Sequence, residues 1–104
     1  MAEPHPIRIL LHAPTAAALT RARNNAANLS KQAVAVEVRI VVNAEAVRAL
    51  LDAPDAAADA LTLVCPNTLS RIGGSAPEPL VVLDEAAVMA IARMQEDGWR
   101  YIRS

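Results

Sequence analysis

Short apolar runs alternate with helix-length segments along the whole chain, and this alternation limits the possible folds more than any other feature. Ile7 to His12 (IRILLH) is a short apolar run of the kind expected for a strand buried on both faces. Pro14 and Thr15 then open a helix to about Lys31. Leu19, Ala22, Ala26 and Leu29 recur on one face at spacings of three and four, while Arg21, Arg23, Asn24, Asn28 and Lys31 lie elsewhere. Val34 to Asn43 is rich in β-branched residues and reads as the clearest strand. One face carries Val34, Val36, Val38, Ile40 and Val42. The other carries Ala35, Glu37, Arg39 and Val41 and is partly wet, which suggests an edge of the sheet. A second helix runs from Ala44 to Ala53, with Asn43 as N-cap and Pro54 as its stop.

The remainder follows the same rhythm. Asp55 to Ala60 is only alanine and aspartate, expected as a surface turn or an extra helical turn. Leu61 to Val64 is a third strand, followed by a short helix to Ile72 that Gly73 and Gly74 close. Leu80 to Leu83 is a fourth strand. Asp84 is expected to cap a last helix with Ala87, Val88, Ile91 and Met94 inward and Gly98 at its end. Trp99 to Ile102 is a fifth strand, with Trp99 and Tyr101 on a shared face that fills a core edge or a subunit contact. Five strands alternating with four helices predict one α/β domain over residues 1–104: a three-layer, flavodoxin-like, mainly parallel sheet with helices on both faces. With the second strand at an edge, the expected order is 2-1-3-4-5. That order makes the first and third strands neighbours and brings His12 and Cys65 together at their carboxyl ends.

Cys65 is the only thiol among 104 residues and lies between a strand and Pro66. Proline suits the first helical position, so Cys65 becomes the N-cap. The free backbone N–H groups of Asn67 and Thr68 then point toward the sulfur, which favours thiolate over thiol. A cysteine that ends a buried strand is equally a small hydrophobe. Both readings stay open at this point, as do the two readings of His12: a ligand or proton donor, or a strand-end side chain bonded to backbone.

Composition excludes several classes. A net charge of -1 with mixed signs lacks the basic footprint of a nucleic-acid binder. No apolar run approaches a membrane span, and the first residues lack the pattern of a signal peptide. One cysteine cannot make an internal disulfide, and a cytoplasmic location is expected. The loop His12-Ala13-Pro14-Thr15 has none of the glycines that dinucleotide or P-loop sites use. His5, His12 and Cys65 show no recognised metal-ligand spacing, so neither metal nor cofactor is expected.

Cys65-Pro66-Asn67-Thr68-Leu69, followed by Gln95-Glu96-Asp97-Gly98-Trp99-Arg100-Tyr101-Ile102, resembles the DsrE/DsrF-like proteins of intracellular sulfur relay. Those proteins deliver a Cys-x-Asn-[Thr/Ser]-[Leu/Met] turn from a strand and end in Gln-x-x-Gly-[Tyr/Trp]-x-Tyr-Ile. Ala26-Ala27-Asn28-Leu29 and Asn43-Ala44-Glu45-Ala46-Val47 fit the same template, so the resemblance runs from about Ile7 to the C-terminus. Two departures stand out. The loop after the second strand often has a glycine, where this chain has Asn43-Ala44-Glu45-Ala46. A glycine near the start of the last helix is replaced by Glu85 or Ala86. The resemblance implies a trimeric or hexameric subunit and a persulfide carried on Cys65, exchanged with sulfur donor and acceptor proteins. The expected site is Cys65 with His12 for the chemistry, and Asn43, Asn67 and Thr68 for ligand binding. The alternative is a non-catalytic oligomeric module in which Cys65 is merely packed.

Overall fold

The structure, a computed structural model, describes residues 6–104. Its element order is β1 (Ile7–Ala13), α1 (Ala16–Leu29), β2 (Val36–Val42), α2 (Glu45–Asp52), α3 (Ala56–Asp59), β3 (Thr62–Val64), α4 (Pro66–Arg71), β4 (Val81–Val82), α5 (Ala87–Glu96) and β5 (Arg100–Arg103). Thr15 starts α1 by accepting a hydrogen bond from the Ala18 N–H at 3.0 Å. Asp55 starts α3 in the same way, through Ala58 at 3.2 Å. Helices α4 and α5 both end in the six-to-one, five-to-two bond pair that needs a left-handed residue. Gly73 (φ 66°) and Gly98 (φ 96°) provide it.

All five strands are parallel, which makes the fold the expected three-layer α/β class. The strand order is β4-β3-β2-β1-β5, and this corrects the expected 2-1-3-4-5. β2 is central, paired along seven residues with β1 and also with β3. Its polar residues do not mark an edge. Glu37 and Arg39 lie on the face that only α5 covers, near the start of the strand. There Arg39 meets Glu37 at 3.6 Å and lies 5.9 Å from the Trp99 ring centre. Partial cover by a single helix leaves that half of the face wet.

The opposite face holds the larger core. Ile9, Leu11, Ile40, Val42 and Val64 pack beneath Ala18, Leu19, Ala22, Val47 and Leu50. Small alanines let α1 lie close to the sheet. On the α5 face a second cluster joins Leu10, Val41, Cys65, Ala87 and Ile91. Val41, on the face expected to be wet, is completely buried. In α5 the inward residues are Ala87, Ala90 and Ile91, with Met94 half-buried. Val88 is 68% exposed, contrary to expectation. Ala87 sits against the sheet, and the following residue is rotated about 100° around the helix, away from it. Nor does Asp84 cap α5: Ala86 holds the N-cap position without a side-chain bond.

At the start of α2 the cap position belongs to Ala44, not Asn43. The Asn43 carbonyl accepts from the Ala46 N–H at 3.2 Å, and Ala44 takes φ 51° and ψ -138°. That is the glycine-favouring corner of a type II′ turn. A side chain there costs of the order of 1–3 kcal/mol, whereas glycine's extra unfolded-state entropy costs about 0.5–1 kcal/mol. Ala44→Gly is therefore expected to raise stability by about 1 kcal/mol. Urea denaturation checks this, and a midpoint shifted downward would contradict the strain.

Candidate functional site

Cys65 extends β3 by one rung, its N–H donating to the Val42 carbonyl at 3.0 Å. Pro66 follows as the first residue of α4, and the Cys65 carbonyl accepts from Leu69 at 3.1 Å. The sequence folds this way because proline cannot supply the next ladder N–H yet fits a helix start. The sulfur closes no side-chain cap bond of its own. It lies in the second core cluster, and the residue is 6% exposed.

Two opposing effects act on the thiol. Burial pushes its pKa up and is the largest single influence. Against it stand the backbone N–H of Ala87, the backbone N–H and hydroxyl of Thr68, and the backbone N–H of Asn67, which together bring the pKa below the ordinary cysteine value. The Thr68 hydroxyl oxygen already accepts from the Ala44 N–H at 3.3 Å, so its own proton is free for the sulfur. Asn67 and Thr68 stand beside the sulfur as expected. Ala87 was not foreseen, because it arrives from α5, more than twenty residues away, through tertiary packing.

Cys65 forms part of the wall of a cavity of about 220 Å³, shared with Asn43, Asn67, Thr68, Arg71 and Val88. Arg71, in the last turn of α4, puts a cation on the rim. A basic residue six positions after the cysteine was its only trace in the sequence. A larger hollow of about 340 Å³ lies beside Arg23 and Asp55, where alanines make up half of the lining and there is no thiol.

His12 is not the neighbour of Cys65. β2 separates β1 from β3, so the two residues belong to strands two spacings apart, about 9.6 Å. Direct proton exchange between them, expected from the 2-1-3-4-5 order, loses its geometric basis. Instead His12 Nδ1 lies 2.6 Å from the Tyr101 hydroxyl and Nε2 lies 2.9 Å from Asn43 Oδ1. Asn43 therefore touches His12 with its side chain while lining the Cys65 cavity. Tyr101 was foreseen only as core edge or contact. It is 39% exposed and serves as a polar partner. Trp99 is half-buried, with the Arg8 guanidinium 5.1 Å from its ring centre.

Among the described residues no group of three or more His, Cys, Asp or Glu could hold a metal ion. His5 lies outside the described residues. No helix among them is long and apolar enough to cross a membrane. Fold and site together define a three-layer α/β domain with one buried, donor-surrounded thiol at a strand end. No family model and no curated protein matches the chain.

Proposed function

We propose that this protein is a cytoplasmic sulfur carrier of the DsrE-like kind, working through a persulfide on Cys65. The observation that carries this reading is a thiol at a strand end, in the wall of a cavity with a cationic rim, beside N–H and O–H groups that favour its thiolate despite burial. The thiolate attacks the sulfane sulfur of a donor persulfide, R–S–SH. The donor S–S bond breaks, R–S⁻ departs, and the transferred sulfur keeps its proton as Cys65–S–SH. A second exchange with an acceptor thiolate reverses the step. No net oxidation occurs, and no metal or cofactor is called for.

The working assembly in this reading is a homotrimer or homohexamer. Support comes from apolar side chains that a monomer leaves uncovered, among them Ile7, Val34, Val88, Met89 and Ile102. Val41, on the strand face expected to be partly wet, is completely buried and takes no part in such a contact. Light scattering at micromolar concentration is expected to give three or six subunits. A stable monomer would remove the assembly from the reading.

The low exposure of Cys65 favours a second reading, in which the thiol is packed and the domain is a binding module. One experiment separates the two. Incubating the folded protein with a persulfide donor is expected to add one sulfur mass per subunit, removable by reductant. A thiol that reacts only after denaturation would leave the packed module standing.

A further inference from the structure

We propose that Tyr101, His12 and Asn43 form a hydrogen-bond chain of fixed polarity, which turns the Asn43 amide NH2 into the Cys65 cavity as a donor to anionic sulfur species. The inference rests on Cys65 being a reacting sulfur. It adds two positioning residues, Tyr101 and His12, and one group that faces the substrate, Asn43.

The polarity follows from the two distances. Neutral imidazole has one donor nitrogen and one acceptor nitrogen, so the two bonds of His12 must run in opposite senses. The contact between the Tyr101 hydroxyl and His12 Nδ1 is 2.6 Å. That falls in the range for an O–H donor and is short for an N–H donor, whose bonds to oxygen centre near 2.9–3.0 Å. Tyr101 is therefore the donor and Nδ1 the acceptor, which leaves the proton on Nε2. The contact between Nε2 and Asn43 Oδ1, at 2.9 Å, has the length expected when N–H donates to a carbonyl oxygen. With its oxygen turned to His12, the Asn43 amide presents its NH2 group on the other side. Because Asn43 lines the cavity that Cys65 also lines, those donors serve that space. The opposite polarity would make the phenol accept at a distance too short for N–H···O. It would also turn the Asn43 carbonyl, not its NH2, away from His12.

The sheet order makes this chain possible. Tyr101 on β5, His12 on β1 and Asn43 just after β2 come from three adjacent strands; Tyr101 pairs with Leu10, two residues before His12, and shares its sheet face. Combined with the backbone N–H groups of Asn67, Thr68 and Ala87 around the sulfur and with Arg71 on the rim, the Asn43 amide completes a surface built of donors. Such a surface favours the anionic species of the exchange, the R–S⁻ released by the donor and the thiolate that arrives as acceptor, over a neutral disulfide.

Two measurements test this on the intact protein. Nitrogen-15 NMR of His12 in the wild type is expected to show the proton on Nε2, and a proton on Nδ1 overturns the proposal without any variant. Cys65 alkylation by anionic iodoacetate is then compared with alkylation by neutral iodoacetamide. Asn43→Asp still accepts from His12 but presents an anionic oxygen, and should lower the iodoacetate-to-iodoacetamide rate ratio at least tenfold. Tyr101→Phe removes the first donor of the chain and should lower that ratio two- to fivefold, which a purely structural role would not do. A ratio unchanged within twofold in both variants overturns the proposal, as does a folded wild type that neither reagent modifies. A wild type that discriminates as expected yet takes up no sulfane sulfur overturns the carrier reading alone.

Discussion

Cys65→Ser is expected to abolish sulfane-sulfur loading outright while changing stability by no more than about 1 kcal/mol. Loading is lost because no other thiol exists in the chain. Stability survives because serine is a preferred N-cap, and the donors that surround the sulfur can satisfy its oxygen. Serine is also smaller than cysteine, so the packing against Leu10, Val41, Ala87 and Ile91 loosens only slightly. The pH dependence gives a second reading of the same site. The folded thiol has a lowered pKa, so iodoacetamide alkylation should level off at a lower pH than for the same cysteine in the unfolded chain. The linked effect on stability has a definite sign. Between the folded and the unfolded pKa the unfolded chain binds more protons, so stability rises with pH across that interval. The thiolate's contribution is complete above the unfolded value and is lost as pH falls through the folded one. Wild type should therefore gain on Cys65→Ser as the pH is raised from neutral to alkaline. Denaturation midpoints that diverge in the opposite sense would mean that burial, not the donors, governs the thiol.

What could be read from the chain in advance was local. β1 and β2 follow from runs of apolar and β-branched residues, and Thr15 follows from capping chemistry. The Cys65-Pro66 boundary follows from what proline forbids and permits. Each is settled within a few residues. Strand order is not local, and the polar face of β2 misled it. Glu37 and Arg39 are compatible with a central strand because, among the described residues, α5 is the one helix on their side, and Arg39 lies 5.9 Å from the Trp99 ring centre. From that one substitution of order came the misplaced pairing of His12 with Cys65. The donors to the sulfur from Asn67 and Thr68 were legible because they lie in the turn itself. Ala87, Arg71 and the partners of His12 were not, because the spatial neighbours of a strand end depend on which strands stand beside it. The partnership of Arg23 and Asp59 was hidden for a further reason. One was expected off the apolar face of α1 and the other in a surface turn or an extra helical turn, and neither segment gives a sign of the other.

Asp59→Ala should therefore be among the most destabilising single changes on the helical face, at about 3 kcal/mol, the lower end of the range for breaking a buried pair. Asp59 Oδ1 accepts from Arg23 Nη2 at 3.1 Å, with the two side chains 7% and 15% exposed. Asp59 Oδ2 accepts from the Asp55 N–H at 3.1 Å, so the carboxylate also ties down the start of α3. Removing it leaves a guanidinium with its charge uncompensated, and Arg23 Nε already finds no hydrogen-bond partner among the described residues. The neighbouring hollow, about 340 Å³, gives water a route to that charge, and this sets the loss at the lower end of the range. In a chain of this length the change corresponds to a fall in Tm of well over 10 °C. The pair itself contributes less than its rupture suggests, because forming it means desolvating both ions. Arg23→Met combined with Asp59→Leu should recover most of the loss, since apolar replacements of buried pairs are commonly neutral or stabilising. A single Asp59→Ala variant within 1 kcal/mol of wild type would show that the pair is solvated in solution. A double variant no better than the single one would place the stabilisation in the carboxylate's bond to Asp55, not in the charge of Arg23.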